Sequence, residues 1–397
     1  MTTDQITHGP PRDDADRRRF ARLSEYAFWD EPAINPDIGW LDGSGGTVIR
    51  LARLGETVIG GALVIPAGQW FGGQPVPAAL IGAVSVAPEH RRGGVGKRLV
   101  ADYLRVARDA GLAISTLYPA SFGLYHWAGY EHAGTNLRYE LPLTTLATMR
   151  PPDDGIVVRE YEGDGALLRA AYDRQARQTS GQIRRPEGFW GGRLTEDRRA
   201  LHRYAAERDG EIVGYLIFIQ RTSPDGIKLI EIRDFVATSR AASRALLGFL
   251  ATHWANVGTV RLWGGISDHR LLGLPGRGLR PVDVDPWMVR ILDLPAALAA
   301  RGYPAGVTAE WQLDYADDQL SENTGRWVVR IQGGAATVSP GGDGRIRATV
   351  RGLSGLFSGA YPAEVMADPT YLVGSDDDLA SLTLAFAGPS PWMDDHF

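Results

Sequence analysis

The chain has no cysteine, which excludes disulfides, thiolate metal sites and a cysteine nucleophile. It also lacks a surplus of positive charge: 42 Lys and Arg stand against 47 Asp and Glu, a net charge of −5. That balance argues against nucleic-acid binding and suits a small cationic substrate. No run reaches the ~18 apolar residues of a membrane span. The opening MTTDQITHGPPRDDADRRRF has no apolar signal core, so we expect a cytoplasmic protein with no membrane partner. The eight histidines show no HExxH or other ligand spacing, so no metal is expected, and no Gly-x-Ser-x-Gly elbow is present. What the chain does have is length: 397 residues suffice for two or three domains, each with its own core.

The most informative stretch is Ile81 to Leu99, IGAVSVAPEHRRGGVGKRL. Residues 81–87 are apolar or small and end at Pro88, which predicts a buried strand. Arg91-Arg92-Gly93-Gly94-Val95-Gly96 reads as a tight turn carrying two cations. From Lys97 a helical pattern follows, with Leu99, Tyr103, Val106 and Ala110 near one face and Gly111 as its stop. A strand feeding a glycine turn that opens a helix aims several backbone N–H groups at one point. The helix dipole adds positive potential there, so the turn is expected to hold a phosphate. Two other phosphate loops do not fit. A Walker loop needs glycine where Arg91 stands and Ser or Thr where Arg98 stands; a dinucleotide fingerprint read from Gly94 needs a small residue where Leu99 stands.

The pattern that fits is Arg-x-x-Gly-x-Gly, Arg91 to Gly96, after Val84-x-Val86-x-Pro88. On these residues the chain resembles the GCN5-related N-acetyltransferase superfamily. The resemblance implies acetyl-CoA as co-substrate, bound by Val84, Ser85, Val86, Arg91, Arg92, Gly93, Gly94, Val95 and Gly96.

Along the chain, residues 1–13 are polar and read as a loose end. Asp14 to Trp29 reads as a helix with Phe20, Leu23 and Ala27 inward. Phe28, Trp29 and Asp30 close it; they suit core packing or the wall of an amine pocket, because cations favour aromatic faces. Strands are expected over Thr47–Arg53, Thr57–Ile65, Gln74–Leu80 and Leu112–Tyr118. Ser121 to Gly129 suits a short helix containing Tyr125. In the superfamily this helix commonly carries a tyrosine facing the CoA sulfur, and Tyr125 stands at that position. A phenol of pKa ~10 can protonate a departing thiolate if it is ordered beside the sulfur. Tyr130 reads as structural.

After a linker at Met149–Gly155 the layout repeats. Arg203–Glu207 and Ile212–Ile219 pair around Asp209-Gly210, Ile230–Ala237 is a strand, and Ser239–Trp254 is a helix. The second copy has Thr238-Ser239-Arg240-Ala241-Ala242 where the first has its glycines. Without glycine the backbone cannot approach a pyrophosphate closely, so this copy reads as a scaffold. Residues 285–304 run strand to helix. Beyond them, Val307–Tyr315, Gly325–Gln332, Ala335–Ser339 and Arg345–Val350 alternate as strands before a helix from Arg351 to about Ser358. Asp314, Asn323-x-Gly325-x-Trp327 and Gly334 make this end resemble a sterol-carrier domain.

The fold class is thus α/β (α+β): tandem GCN5-related acetyltransferase folds, the second degenerate, and a sterol-carrier-like α+β domain. The expected divisions are 1–150, 151–304 and 305–397. This architecture resembles the Eis-like (enhanced intracellular survival) aminoglycoside N-acetyltransferases, as do Trp287-Met288-Val289-Arg290-Ile291-Leu292-Asp293 and the tail Gly388-Pro389-Ser390-Pro391-Trp392-Met393-Asp394-Asp395-His396-Phe397. Termini are ordinarily polar and frayed, whereas this one has prolines and large apolar residues that favour burial. The resemblance implies that the tail enters the active site and that the α-carboxylate of Phe397 is the base, with Asp394, Asp395 and His396 as alternatives. It further implies an aminoglycoside acceptor, multi-site acetylation, an antibiotic-resistance role and a homo-oligomer, specifically a hexamer. Family members often have a large aromatic where Ala83 stands, which implies a roomier substrate pocket. A protein lysine or polyamine is an alternative acceptor, because the chemistry is unchanged; a lipid or acyl-CoA carrier is the non-enzymatic alternative.

Overall fold

The structure, a computed structural model, describes residues 6–28, 38–146, 155–163, 165–194, 201–223, 225–274 and 278–397. In chain order it begins with β1 (Ile6–Gly9), α1 (Asp14–Phe28), β2 (Val48–Leu54), β3 (Thr57–Phe71), β4 (Gln74–Val86), α2 (Val95–Asp109), β5 (Ile114–Leu117) and α3 (Phe122–Trp127). Next come β6 (Glu131–Pro142), α4 (Leu143–Leu146), β7 (Val157–Glu160), α5 (Ala166–Ala176), β8 (Ile183–Arg184) and α6 (Glu187–Leu194). The chain continues through β9 (His202–Arg208), β10 (Glu211–Thr222), β11 (Lys228–Ala237), α7 (Arg240–Ala251) and β12 (Thr259–Gly264). It ends with β13 (Arg280–Ile291), α8 (Leu294–Ala300), β14 (Ala309–Ala316), β15 (Gly325–Gln332), β16 (Ala335–Pro340), β17 (Ile346–Thr349), α9 (Val350–Phe357), β18 (Leu372–Val373) and α10 (Asp376–Phe386). Two compact units result: one of residues 1–133, 287–388 and 395–397, the other of 134–286 and 389–394.

In the first unit, β1, β2, β3 and β4 are antiparallel neighbours, β4 pairs parallel with β5, and β5 pairs antiparallel with β13. The expected loose end is corrected here, because Ile6–Gly9 pairs with Leu51–Leu54 and so extends the sheet edge. Helix α2 starts at Val95, two residues before the expected Lys97. Its buried face is Val95, Leu99, Val100, Tyr103, Leu104 and Ala107; Ala110 is exposed because the helix has already ended. All of these buried residues but Val95 pack with Ile81, Leu117, Tyr125, Tyr130 and Met288 in one apolar cluster. The same unit holds a five-stranded sheet in the order β16-β15-β14-β17-β18.

The second unit repeats the pattern. Strands β9, β10 and β11 are antiparallel, β11 pairs parallel with β12, and α7 connects them. Its core gathers Leu216, Phe218, Ile230, Phe235, Leu246, Leu247 and Leu250. Asp209 (φ 53°) and Gly210 (φ 81°) form the left-handed turn between β9 and β10, as two-residue hairpins require.

Candidate active site

The site in the first unit begins with a fault in β4. Strand β3 pairs as Gly61↔Ser85 and Leu63↔Gly82, so Ala83 and Val84 together face the single residue Ala62. This bulge puts Ala83 in the left-handed region at φ 53°, unusual for a residue with a Cβ. Pairing between β4 and β5 covers Ala78–Leu80 and Ile114–Thr116, while β4 runs on through the bulge to Val86. The C-terminus meets β4 there. A Cβ on Gly82 would lie 3.1 Å from the carboxyl carbon of Phe397 and 3.5 Å from its oxygen. His396 stacks on Tyr118 with ring centres 4.5 Å apart, and the Phe397 ring lies 5.8 Å from Tyr118.

The glycine turn follows β4. Arg92 (φ 64°) and Gly94 (φ 78°) are left-handed, and Gly94 caps α2 without any side-chain bond. Nothing lies within 4 Å of a Cβ built on Gly94, and Arg91, Arg92, Gly93 and Gly94 are all exposed. Arg91 Nε donates to Val86 O at 3.1 Å, and its guanidinium lies 5.7 Å from the Tyr26 ring centre. Val95 is buried and packs beside Val86, while Val84 packs against the cluster that holds Tyr125. Ser85 is buried, and its Oγ has no hydrogen-bond partner among the described residues.

Helix α3 lies against the start of α2: a Cβ on Gly96 would be 3.6 Å from Leu124, and Lys97 Nζ sits 4.7 Å from the Trp127 ring centre. Tyr125 on this helix is 4% exposed and packs edge-on against Tyr130, ring centres 5.7 Å apart. Burial pushes its phenol above the ordinary range, and Tyr130 adds to the effect, so Tyr125 is neutral and carries its proton. Burial also raises Tyr130, to about 12, although bonds to Ser115 and Tyr103 oppose the shift. The Tyr130 and Ser115 hydroxyls are 2.6 Å apart. Gly129 ends the helix at φ 90°, where a Cβ would come 2.8 Å from Val350 and 3.1 Å from Arg290 Nε. Arg290 is fully buried; it donates to Ala128 O at 2.6 Å and pairs with Asp317 at 2.7 Å, which fixes the helix end.

The structure therefore brings Phe397 to Gly82 and places the helix of Tyr125 beside the turn. Of the alternative bases, Asp394 belongs to the second unit, its carboxylate 3.8 Å from Arg185 and 3.9 Å from Arg193. Ala83 packs beside Phe20 and Leu63, and Phe28 is exposed at the end of α1. Trp29 and Asp30 lie outside the described residues. Sequence reasoning missed Tyr118 and Gly82. The only available signal for Tyr118 was an aromatic residue placed directly before Pro119 at a strand end.

Models of the acetyltransferase (GNAT) domain match residues 11–133 and 181–291, and a sterol carrier protein domain model matches 294–394. A crystal structure of a GCN5-related N-acetyltransferase from Anabaena variabilis ATCC 29413 superposes with a TM-score of 0.90 at 30% identity, covering 99% of this chain and 100% of that one. The chain belongs to the GCN5-related N-acetyltransferase family. Within that family it is Eis-like: N-acetyltransferase Eis of Mycobacterium bovis (strain BCG / Pasteur 1173P2) is 29% identical over 371 residues, 87% of this chain and 88% of that protein. A Streptomyces avermitilis protein named as an uncharacterized N-acetyltransferase is 32% identical over 289 residues, 67% of this chain and 68% of that one. This GCN5-related enzyme is thus an N-acetyltransferase with two acetyltransferase folds and a sterol-carrier fold. None of its described helices is long and apolar enough to cross a membrane.

Proposed function

We propose that this acetyltransferase moves the acetyl group of acetyl-CoA to amines of a cationic acceptor, specifically an aminoglycoside, with the α-carboxylate of Phe397 as base. The observation that carries the reading is the position of that carboxylate against Gly82, at the bulge of β4. An amine of pKa ~10.4 is nearly all ammonium at pH 7, and reaching its free form costs about 4–5 kcal/mol. The carboxylate first attracts the ammonium and then removes its proton, directly or through water. The free amine attacks the thioester carbonyl, whose oxygen gains charge as the bond forms. A backbone N–H of the 84–86 segment faces that oxygen; one such donor is worth roughly 3–4 kcal/mol in the transition state. The turn from Arg91 to Gly96 holds the diphosphate, which its exposed glycines and the start of α2 suit. Tyr125, kept protonated by burial, gives its proton to the departing thiolate.

Acceptor binding is assigned in this reading to Phe28, Trp29, Asp30 and Ala83, and the net charge of −5 favours a cation. We further propose a cytoplasmic homo-oligomer, a hexamer, whose chains divide by descent at 1–150, 151–304 and 305–397; light scattering tests the hexamer. The function is tested by following free thiol with acetyl-CoA and tobramycin, kanamycin, spermidine or a lysine peptide. Thiol release with either aminoglycoside supports the proposal. Release with spermidine or the peptide alone reassigns the acceptor, and no release with any amine removes the assignment.

A further inference from the structure

The second unit lacks the glycine turn and contains a different arrangement in its place. At the start of α7, Ser239 caps the helix itself, its side chain accepting from the Ala242 N–H. Beside it lies a cavity of about 320 Å³ whose lining includes Thr179, Ser239, His269, Pro389 and Trp392. The last two belong to the tail, of which Pro389–Asp394 is part of this unit.

The tail is seated there by specific contacts. The Trp392 N–H donates to Ser180 O at 3.0 Å, and Gln182 Nε2 donates to Trp392 O at 3.1 Å. Arg193 Nη2 donates to Asp394 O at 3.0 Å. The Arg270 guanidinium lies over the Trp392 ring, 4.5 Å from its centre, and Trp392 is 3% exposed. Arg270 is itself fixed by Asp268 at 2.6 Å, by Trp263 O at 2.9 Å and by Phe235 O. A Cβ on Gly265 would come 2.6 Å from Trp392 Cδ1, so a side chain there would collide with the indole. A pre-fixed guanidinium, a glycine floor and three main-chain bonds resemble peptide recognition more than general packing.

We propose that the second repeat is a receptor for the tail segment Pro389–Asp394, with Trp392 as the anchor and Arg270, Gly265, Gln182 and Arg193 as the residues that hold it, and that turnover needs the tail anchored. The binding part stands on these contacts alone; the kinetic part rests on the reading of Phe397 as base.

The test uses the full chain and two measurements: release of Phe397 and His396 by a carboxypeptidase, and steady-state kinetics. For Trp392→Ala we expect release at least tenfold faster and kcat at least tenfold lower, with KM for acetyl-CoA within twofold. Trp392→Phe should restore most of both. Gly265→Val should reproduce the effect from the receptor side, with circular dichroism confirming the fold. Release at the wild-type rate in Trp392→Ala and Gly265→Val overturns the receptor. Faster release with unchanged kcat overturns the need for an anchored tail. A failure of the Phe397 reading is distinguished by a chain extended beyond Phe397, which would then retain its rate while its tail remains seated.

Discussion

Adding one glycine after Phe397 tests the proposed chemistry with the smallest change of composition. The carboxylate sits where a Cβ on Gly82 would be 3.1 Å from its carbon, so the site has no slack on that side. One more residue moves the charge by up to about 3.3–3.6 Å. At an effective dielectric near 20, a carboxylate and an ammonium ~4 Å apart attract by about 4 kcal/mol, and at ~7.5 Å by about 2 kcal/mol. The electrostatic loss alone corresponds to roughly 30-fold, and the loss of an aligned base adds to it, so kcat should fall about 10²–10³-fold. The pH dependence has a definite sign. Without its base the variant depends on amine already free in solution, a fraction that rises tenfold per pH unit toward ~10. Its deficit should therefore narrow from pH 7 to pH 9. Thiol release at saturating acetyl-CoA measures both quantities. An unaltered kcat, or a deficit independent of pH, refutes the assignment of Phe397.

Tyr125→Phe keeps the ring packing against Tyr130 and removes only the hydroxyl; kcat in the thiol assay should fall about 10²–10⁴-fold with little change in KM. Gly94→Val forces a β-branched residue to φ 78°, costing ~1–2 kcal/mol, and puts a side chain where a phosphate approaches; acetyl-CoA titration should show at least tenfold weaker binding. Arg290→Leu leaves Asp317 buried and unpaired, so a denaturant melt should show ~3–5 kcal/mol lost from the first unit, and Arg290→Leu with Asp317→Leu should recover much of it. Calorimetric titration should count one acetyl-CoA per chain, since only the first repeat has the open turn; two would contradict the reading of the second.

Much of this was legible in the sequence where one residue type answers one local demand. Gly94 and Gly129 sit at φ 78° and 90° where the glycine pattern required a turn and a helix stop. Asp209-Gly210 marked its hairpin for the same reason. Long-range pairing was not legible. Nothing in Ile6–Gly9 shows that Leu51–Leu54 offers a free edge, and the polar neighbours of that short strand read as a frayed end. The bulge at Ala83 was hidden because a shift in register depends on two strands at once. Helix α10 was missed although Ser375 and Asp378 form a capping box, a local signal that was overlooked. Within the site, the turn could be read from its own residues. The family resemblance pointed the tail toward the site. The meeting of Phe397 with Gly82 and Tyr118 could not be read from the residues, because they are far apart in sequence and nothing local to any one of them names the others.

The two repeats show that a shared strand–helix pattern does not carry a shared site. In the first, Arg92 and Gly94 are left-handed and exposed, and no side chain caps α2. In the second, Ser239 is extended (φ −153°) and its own hydroxyl accepts from Ala242 N–H. A donor already satisfied by a hydroxyl has less to gain from a phosphate, and a serine cap is worth about 1 kcal/mol to its helix. Restoring a glycine at Ser239 alone would give up that cap without turning the backbone outward, since the flanking residues stay in their present conformation. What separates a binding turn from a structural one is therefore the backbone path through several consecutive residues, and that path is set in the first repeat by left-handed positions that the second does not have at 238–242.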